Sequence, residues 1–134
     1  MLFRSHCVVI GNDRLVYVCD RQSDRIQVFD KMGAFEHNIW IKRGRSATDN
    51  WGTTWWIGFS PDWEQKYMYV DDGGDEQIKI LDHASGEVLS SFGRPGHQFG
   101  EFTHAHTLAV DSKGDVYVAE TDWGRRVQKF KPVK

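Results

Sequence analysis

Among the side chains of this 134-residue chain that can do chemistry, the six histidines come first, because two of them hold matching places. His6 and His106 each open an apolar segment, although 100 positions separate them. Imidazole suits zinc, and a catalytic zinc takes about three protein ligands and keeps one position open. Residues so distant can act together only if a repeated fold returns the chain to the same place. His104 lies on the same face as His106 if the segment is extended, as a substitute ligand or as a neighbour that orients one. His37, His83 and His97 sit in turn or edge contexts and read as solvated. Arg21 follows Cys19-Asp20 at a turn, where its ordinary use is to pair with Asp20 or Asp24. Trp51, Trp55, Trp56 and Trp63 are denser than packing requires; Trp51 and Trp55 are the ligand-contact candidates, and Trp56 reads as packing. The acidic run from Asp71 to Glu76 lacks the spacing of an EF-hand loop and reads as a turn. No Ser/His/Asp nucleophile motif, P-loop or dinucleotide fingerprint is present.

These residues need elements to hold them, and a period near 50 supplies those elements. Three segments align, 6–30, 55–82 and 106–130, each an apolar strand, a turn, an apolar-aromatic strand, a polar turn and an alternating strand. His6, Trp55 and His106 recur at spacings of 49 and 51; Tyr17, Tyr69 and Tyr117 at 52 and 48; Phe29, Leu81 and Phe130 at 52 and 49. A fourth strand follows in two units, over Ala34–Trp40 and Glu87–Phe92, and the third unit ends without one. Helical periodicity is absent. Four antiparallel strands per unit at this period describe the blades of an all-β propeller rather than a sandwich. The expected blades are 1–45, 53–94 and 104–134, about three of the six in a full ring, in one partial domain. The stretches Lys42–Thr54 and Arg94–Thr103 are expected loops between blades.

The bulk properties narrow the function classes. A net charge of -2, with Lys and Arg spread along the chain, gives no basic face for nucleic acid or an anionic membrane. No apolar run approaches a membrane span, and Met1 to Ser5 is too short and polar for a signal peptide, so a soluble protein of unread compartment is expected. Cys7 and Cys19, twelve residues apart, match neither a disulfide framework nor a zinc ribbon.

Leu15-Val16-Tyr17-Val18-Cys19-Asp20-Arg21 followed by Asp24-Arg25-Ile26-Gln27-Val28-Phe29 resembles an NHL repeat, as does Val116-Tyr117-Val118-Ala119-Glu120 followed by Arg125-Arg126-Val127-Gln128-Lys129-Phe130. Within that group the chain is most similar to the C-terminal half of the peptidyl-α-hydroxyglycine α-amidating lyases and their bacterial relatives, which are six-bladed. The resemblance implies a central zinc held by histidines at inner-strand starts, where His6 and His106 match two of three positions. It implies that Arg21 holds a substrate carboxylate. The third histidine and the catalytic tyrosine of that family lie in blades without a counterpart here. Trp55 takes the equivalent start in the middle blade, and Thr107 stands where the family has a calcium-binding aspartate, which puts calcium in doubt.

Two readings follow. One is a lyase-like propeller half with an axial zinc, incompletely active alone; the other is a non-catalytic NHL module that binds a protein or peptide, with the two histidines lining a wet channel. Three blades leave a blade face and strand edges open, so the expected partner is a second copy, a homodimer closing a six-bladed ring. A peptide or small molecule is the expected ligand.

Overall fold

The computed structural model describes residues 5–42 and 51–133. Most of the loop expected between the first two blades lies outside the described residues. Among the described residues, eleven strands form three antiparallel sheets, as the repeat predicts. The first sheet holds β1 (Ser5–Ile10), β2 (Val16–Asp20), β3 (Arg25–Phe29) and β4 (Phe35–Trp40) in that order. The second holds β5 (Trp56–Phe59), β6 (Tyr67–Asp72), β7 (Gln77–Asp82) and β8 (Val88–Phe92). The third holds β9 (Ala105–Val110), β10 (Val116–Glu120) and β11 (Val127–Phe130). Each sheet is a meander of neighbouring strands, and β1 packs on β5 and β5 on β9 as the inner strands of successive blades.

Alternation decides which residues go where. In β2 and β3, Tyr17, Cys19, Ile26 and Val28 point to one face and are almost fully buried. That face meets Ile57, Met68 and Val70 of the second blade in one apolar cluster. The other face of the second blade, through Trp56, Tyr69 and Ile78, meets Leu108, Val116 and Val118 of the third in another. Phe92, Phe102 and Phe130 close the outer part of this second layer with ring centroids 4.8 to 6.4 Å apart.

The hairpin turns are fixed by local carboxylates. Asp13 accepts the Leu15 N–H, Asp30 those of Met32 and Ala34, and Asp111 those of Lys113 and Asp115. At the other end of each second strand an acid pairs with a base from the following strand or turn: Asp20 with Arg25, Asp72 with Lys79, Glu120 with Arg126. This repeated pair fastens the second hairpin of every blade.

The cysteine reading is corrected here. Cys7 and Cys19 form a disulfide, with Cα atoms 4.9 Å apart. They pair directly across β1 and β2, so a separation of twelve residues becomes adjacency once the hairpin turns at Gly11-Asn12-Asp13. The acidic run is a turn as expected, but its first two members, Asp71 and Asp72, end β6 and are fully buried.

Candidate functional site

The site is built by one irregularity made three times. In the first blade, pairing runs from Cys7↔Cys19 to Ser5↔Asp20 and skips His6. In the third it runs from Thr107↔Ala119 to Ala105↔Glu120 and skips His106. In the second, Trp56 pairs with Asp71 while the Trp55 N–H donates to the same Asp71 carbonyl at 2.9 Å. An extra residue at the start of each inner strand breaks the alternation and re-aims a ring. The three rings meet: centroids lie 5.1 Å apart for His6 and His106, 5.6 Å for His6 and Trp55, and 5.4 Å for Trp55 and His106. Residues 100 positions apart are thereby brought into contact.

His6 is held by a specific bond. Its Nδ1 lies 2.6 Å from the Trp55 carbonyl oxygen. A carbonyl only accepts, so Nδ1 carries the proton and, in the neutral ring, Nε2 keeps its lone pair. His106 is half-buried and its basicity is depressed, first by burial and then by the neighbouring His6 and Arg21, which favours the uncharged ring. The Arg21 guanidinium lies over the Trp55 ring, 4.7 Å from its centroid. Arg21 therefore faces the cluster, while Asp20 takes Arg25 as its partner.

Trp55 is the frame of the cluster, 4% exposed, with its indole N–H donating to the Gly52 carbonyl at 2.9 Å. Two glycines allow the close approaches around it. Gly52 has φ 68° and a Cβ there would collide with the Arg21 carbonyl. A Cβ on Gly73 would stand 2.5 Å from the Trp55 ring. Trp51 stacks on Trp55 with centroids 6.3 Å apart and is itself 56% exposed, so it forms the open lip of the site.

His104 does not stand where extension would put it. Its φ is 56°, in the left-handed region, so β9 begins only at Ala105. Its ring lies against Trp51, 5.8 Å between centroids, and its Nδ1 is 3.0 Å from an Asp122 carboxylate oxygen. Glu76 accepts the backbone N–H groups of His104 and Ala105 and fixes this turn. His104 is thus a rim residue, with the Trp51 and Trp55 rings between it and His6 and His106. Among the described residues no group of three or more His, Cys, Asp or Glu side chains is arranged to hold a metal.

Other residues differ from their sequence reading. Trp63 is 83% exposed and stands apart from the cluster, while Trp56 packs between blades as expected. His37 and His97 are exposed, but His83 is not solvated. Its Nε2 lies 2.7 Å from the Tyr17 hydroxyl and its Nδ1 2.9 Å from the Gln65 carbonyl, at the blade 1–2 contact. Tyr17 also donates to Asp13, and burial pushes its phenol above the usual range.

No protein-family model matches the chain. NHL repeat-containing protein 3 of Homo sapiens is 30% identical over 138 residues, which covers 96% of this chain and 35% of that protein. The Mus musculus protein of the same name is 31% identical over 134 residues, covering 95% and 35%. The chain therefore spans about a third of the length of the curated relatives it matches. They support the NHL-type propeller reading of the repeats. In fold, the chain resembles the RRP9 WD40 repeats (TM-score 0.66, 18% identity, 98% of this chain and 36% of that one). It also resembles a Bacteroides thetaiotaomicron protein of unknown function (TM-score 0.68, 19% identity, 91% and 34%) and the hydrazine synthase of Kuenenia stuttgartiensis (0.65, 10%, 89% and 30%). These likenesses establish the propeller fold. No helix among the described residues is long and apolar enough to cross a membrane.

Proposed function

We propose that this chain is an NHL-type propeller arc whose inner-strand starts form a ligand site of the amidating-lyase kind, with His6 and His106 as zinc ligands and Arg21 as the holder of a substrate carboxylate. The convergence of His6, Trp55 and His106 carries the reading. Two imidazoles bound tetrahedrally to one zinc through bonds of about 2.1 Å have ring centroids about 5 Å apart, the separation found here. The bond from His6 Nδ1 to Trp55 leaves Nε2 for the metal and fixes the ring, as an outer partner does for a ligating histidine. The residues present fit half of a zinc site, so further donors have to come from outside the described residues.

A zinc ion held there supplies a Lewis acid for polarising a substrate oxygen. Arg21, placed over Trp55, presents a cation to the carboxylate of an α-hydroxyglycine-type substrate, which splits into an amide and glyoxylate. Trp51 and Trp55 wall the ligand on its apolar side. Calcium has no support from the residue at position 107, a threonine.

The test is the zinc content of purified wild type, His6→Ala and His106→Ala, with circular dichroism as the fold control. Zinc bound by the wild type and lost from both variants supports the reading; equal content in all three removes it. The second reading, a non-catalytic NHL module for a peptide or protein, is favoured by the exposed Trp51 platform. It predicts peptide binding that depends on Trp51 and is unchanged by a chelator.

A further inference from the structure

The strand registers of the three blades can be laid over one another pair by pair. On the face each blade turns toward its predecessor, Ile57–Val70 and Phe59–Met68 of the second blade correspond to Leu108–Val118 and Val110–Val116 of the third. In both, these residues pack into the preceding blade. The corresponding pairs of the first blade are Val8–Val18 and Ile10–Val16. Here Val8 is 65% exposed and Ile10 69% exposed, although they are as apolar as their counterparts.

The opposite faces follow the same rule. Cys7–Cys19 and Val9–Tyr17 of the first blade receive the second, and Trp56–Asp71 and Gly58–Tyr69 of the second receive the third. A Cβ on Gly58 would stand against the Leu108 side chain, so that contact is close. In the third blade the matching pairs are Thr107–Ala119 and Ala109–Tyr117. Ala109 is exposed and the other three are half-buried, and together with Val127, 66% exposed, they line a depression of about 380 Å³. Ala109 and Ala119 leave room in its floor between the larger Leu108, Tyr117 and Val127; the free first-blade face carries the branched Val8 and Ile10.

We propose that a second copy of this chain covers both faces, head to tail, its first blade on the third blade of its partner and the reverse. The contact needs no new chemistry, because the chain makes the same contact twice within itself; the two open faces are its unmatched halves. Contiguous apolar surface of this kind marks an interface, and a two-fold head-to-tail pair uses each face once and leaves none open. A second copy also adds another His6 and His106 to the inner-strand starts, the donors that the half-site reading requires. That consequence rests on the proposed zinc site, whereas the interface does not.

The experiment is light scattering with the full chain, chelator present, so that failure of the metal reading leaves the result intact. Wild type is expected at twice 15.5 kDa. Val8→Asp alters one face and Val127→Asp the other; both positions are exposed in the protomer, so circular dichroism should be unchanged. Each variant is expected to be a monomer, with dimerisation weakened about 100-fold or more by an uncompensated charge in the contact. An equimolar mixture of the two variants is expected to recover a dimer, since one of its two contacts then carries both substitutions and the other neither. Recovery does not occur for a face that pairs with itself. A wild type that stays monomeric at high concentration overturns the second copy in favour of further blades on a longer polypeptide. A Val127→Asp chain that still dimerises overturns the head-to-tail geometry.

Discussion

The contact between the first and second blades and the contact between the second and third occupy the same place in the repeat, yet they are held differently. At the end of the second strand, where the inner strand begins, the first blade carries Cys19 in a disulfide to Cys7. The second blade carries Asp71 at the matching position, 0% exposed and with neither carboxylate oxygen hydrogen-bonded. One interface packs on a face whose first hairpin is stapled by its own disulfide among apolar neighbours. The other contains a carboxyl group in an apolar layer, and compensates with large aromatic rings farther out. The difference teaches that a repeat fixes geometry and leaves each interface to find its own source of cohesion.

The aromatic compensation gives the largest expected effect. Phe102 is fully buried between Phe92 and Phe130, and Gly93 leaves room for its ring. Phe102→Ala should cost about 3–5 kcal/mol of unfolding free energy through lost burial and the cavity left behind. Denaturant unfolding reads this directly. A loss below about 1 kcal/mol would mean that the second interface is held elsewhere, and the contrast would break.

The staple comes next. Replacing both Cys7 and Cys19 by Ser removes a crosslink closing a twelve-residue separation, with an expected cost of about 2–3 kcal/mol. The loss should appear equally in wild type under reducing conditions. A reductant-insensitive midpoint would mean that Tyr17, Ile26 and Val28 hold the first interface without the crosslink.

Much of this was legible in the sequence, and the misses have physical reasons. The blade markers His6, Trp55 and His106 gave the repeat because each strand places one side chain per register position, and burial preserves that order. The disulfide was missed because spacing rules count residues along the chain. Its signal was present, since Cys7 and Cys19 lie symmetrically about Asp13, the centre of the turn closed between Gly11 and Leu15, and so oppose each other in a hairpin of that register. His104 was misplaced because alternation was assumed through a residue whose backbone is left-handed. The extra residues that aim His6, Trp55 and His106 inward have no composition of their own, and only the pairing register reveals them. His83 escaped notice because its partner, Tyr17, belongs to the neighbouring blade.

The smallest expected effect is also the one that most sharpens the contrast. Burial raises the Asp71 carboxyl well above the ordinary 3.8, and the acids Glu76, Asp72 and Glu120 add to it. A carboxyl raised in the folded state binds its proton more tightly there than in the unfolded chain. It therefore costs nothing below the unfolded value, and its cost grows as pH rises through the carboxylate range toward the folded value. Asp71→Asn keeps the shape and cannot ionise. Its stability should equal that of the wild type near pH 4 and exceed it by about 1–3 kcal/mol at pH 7, the scale of burying an unsatisfied polar group. Thermal midpoints of the two proteins measured from pH 4 to pH 8 should therefore diverge upward. Parallel curves would mean that Asp71 is compensated in the folded protein, and the two interfaces would then differ in their staple alone.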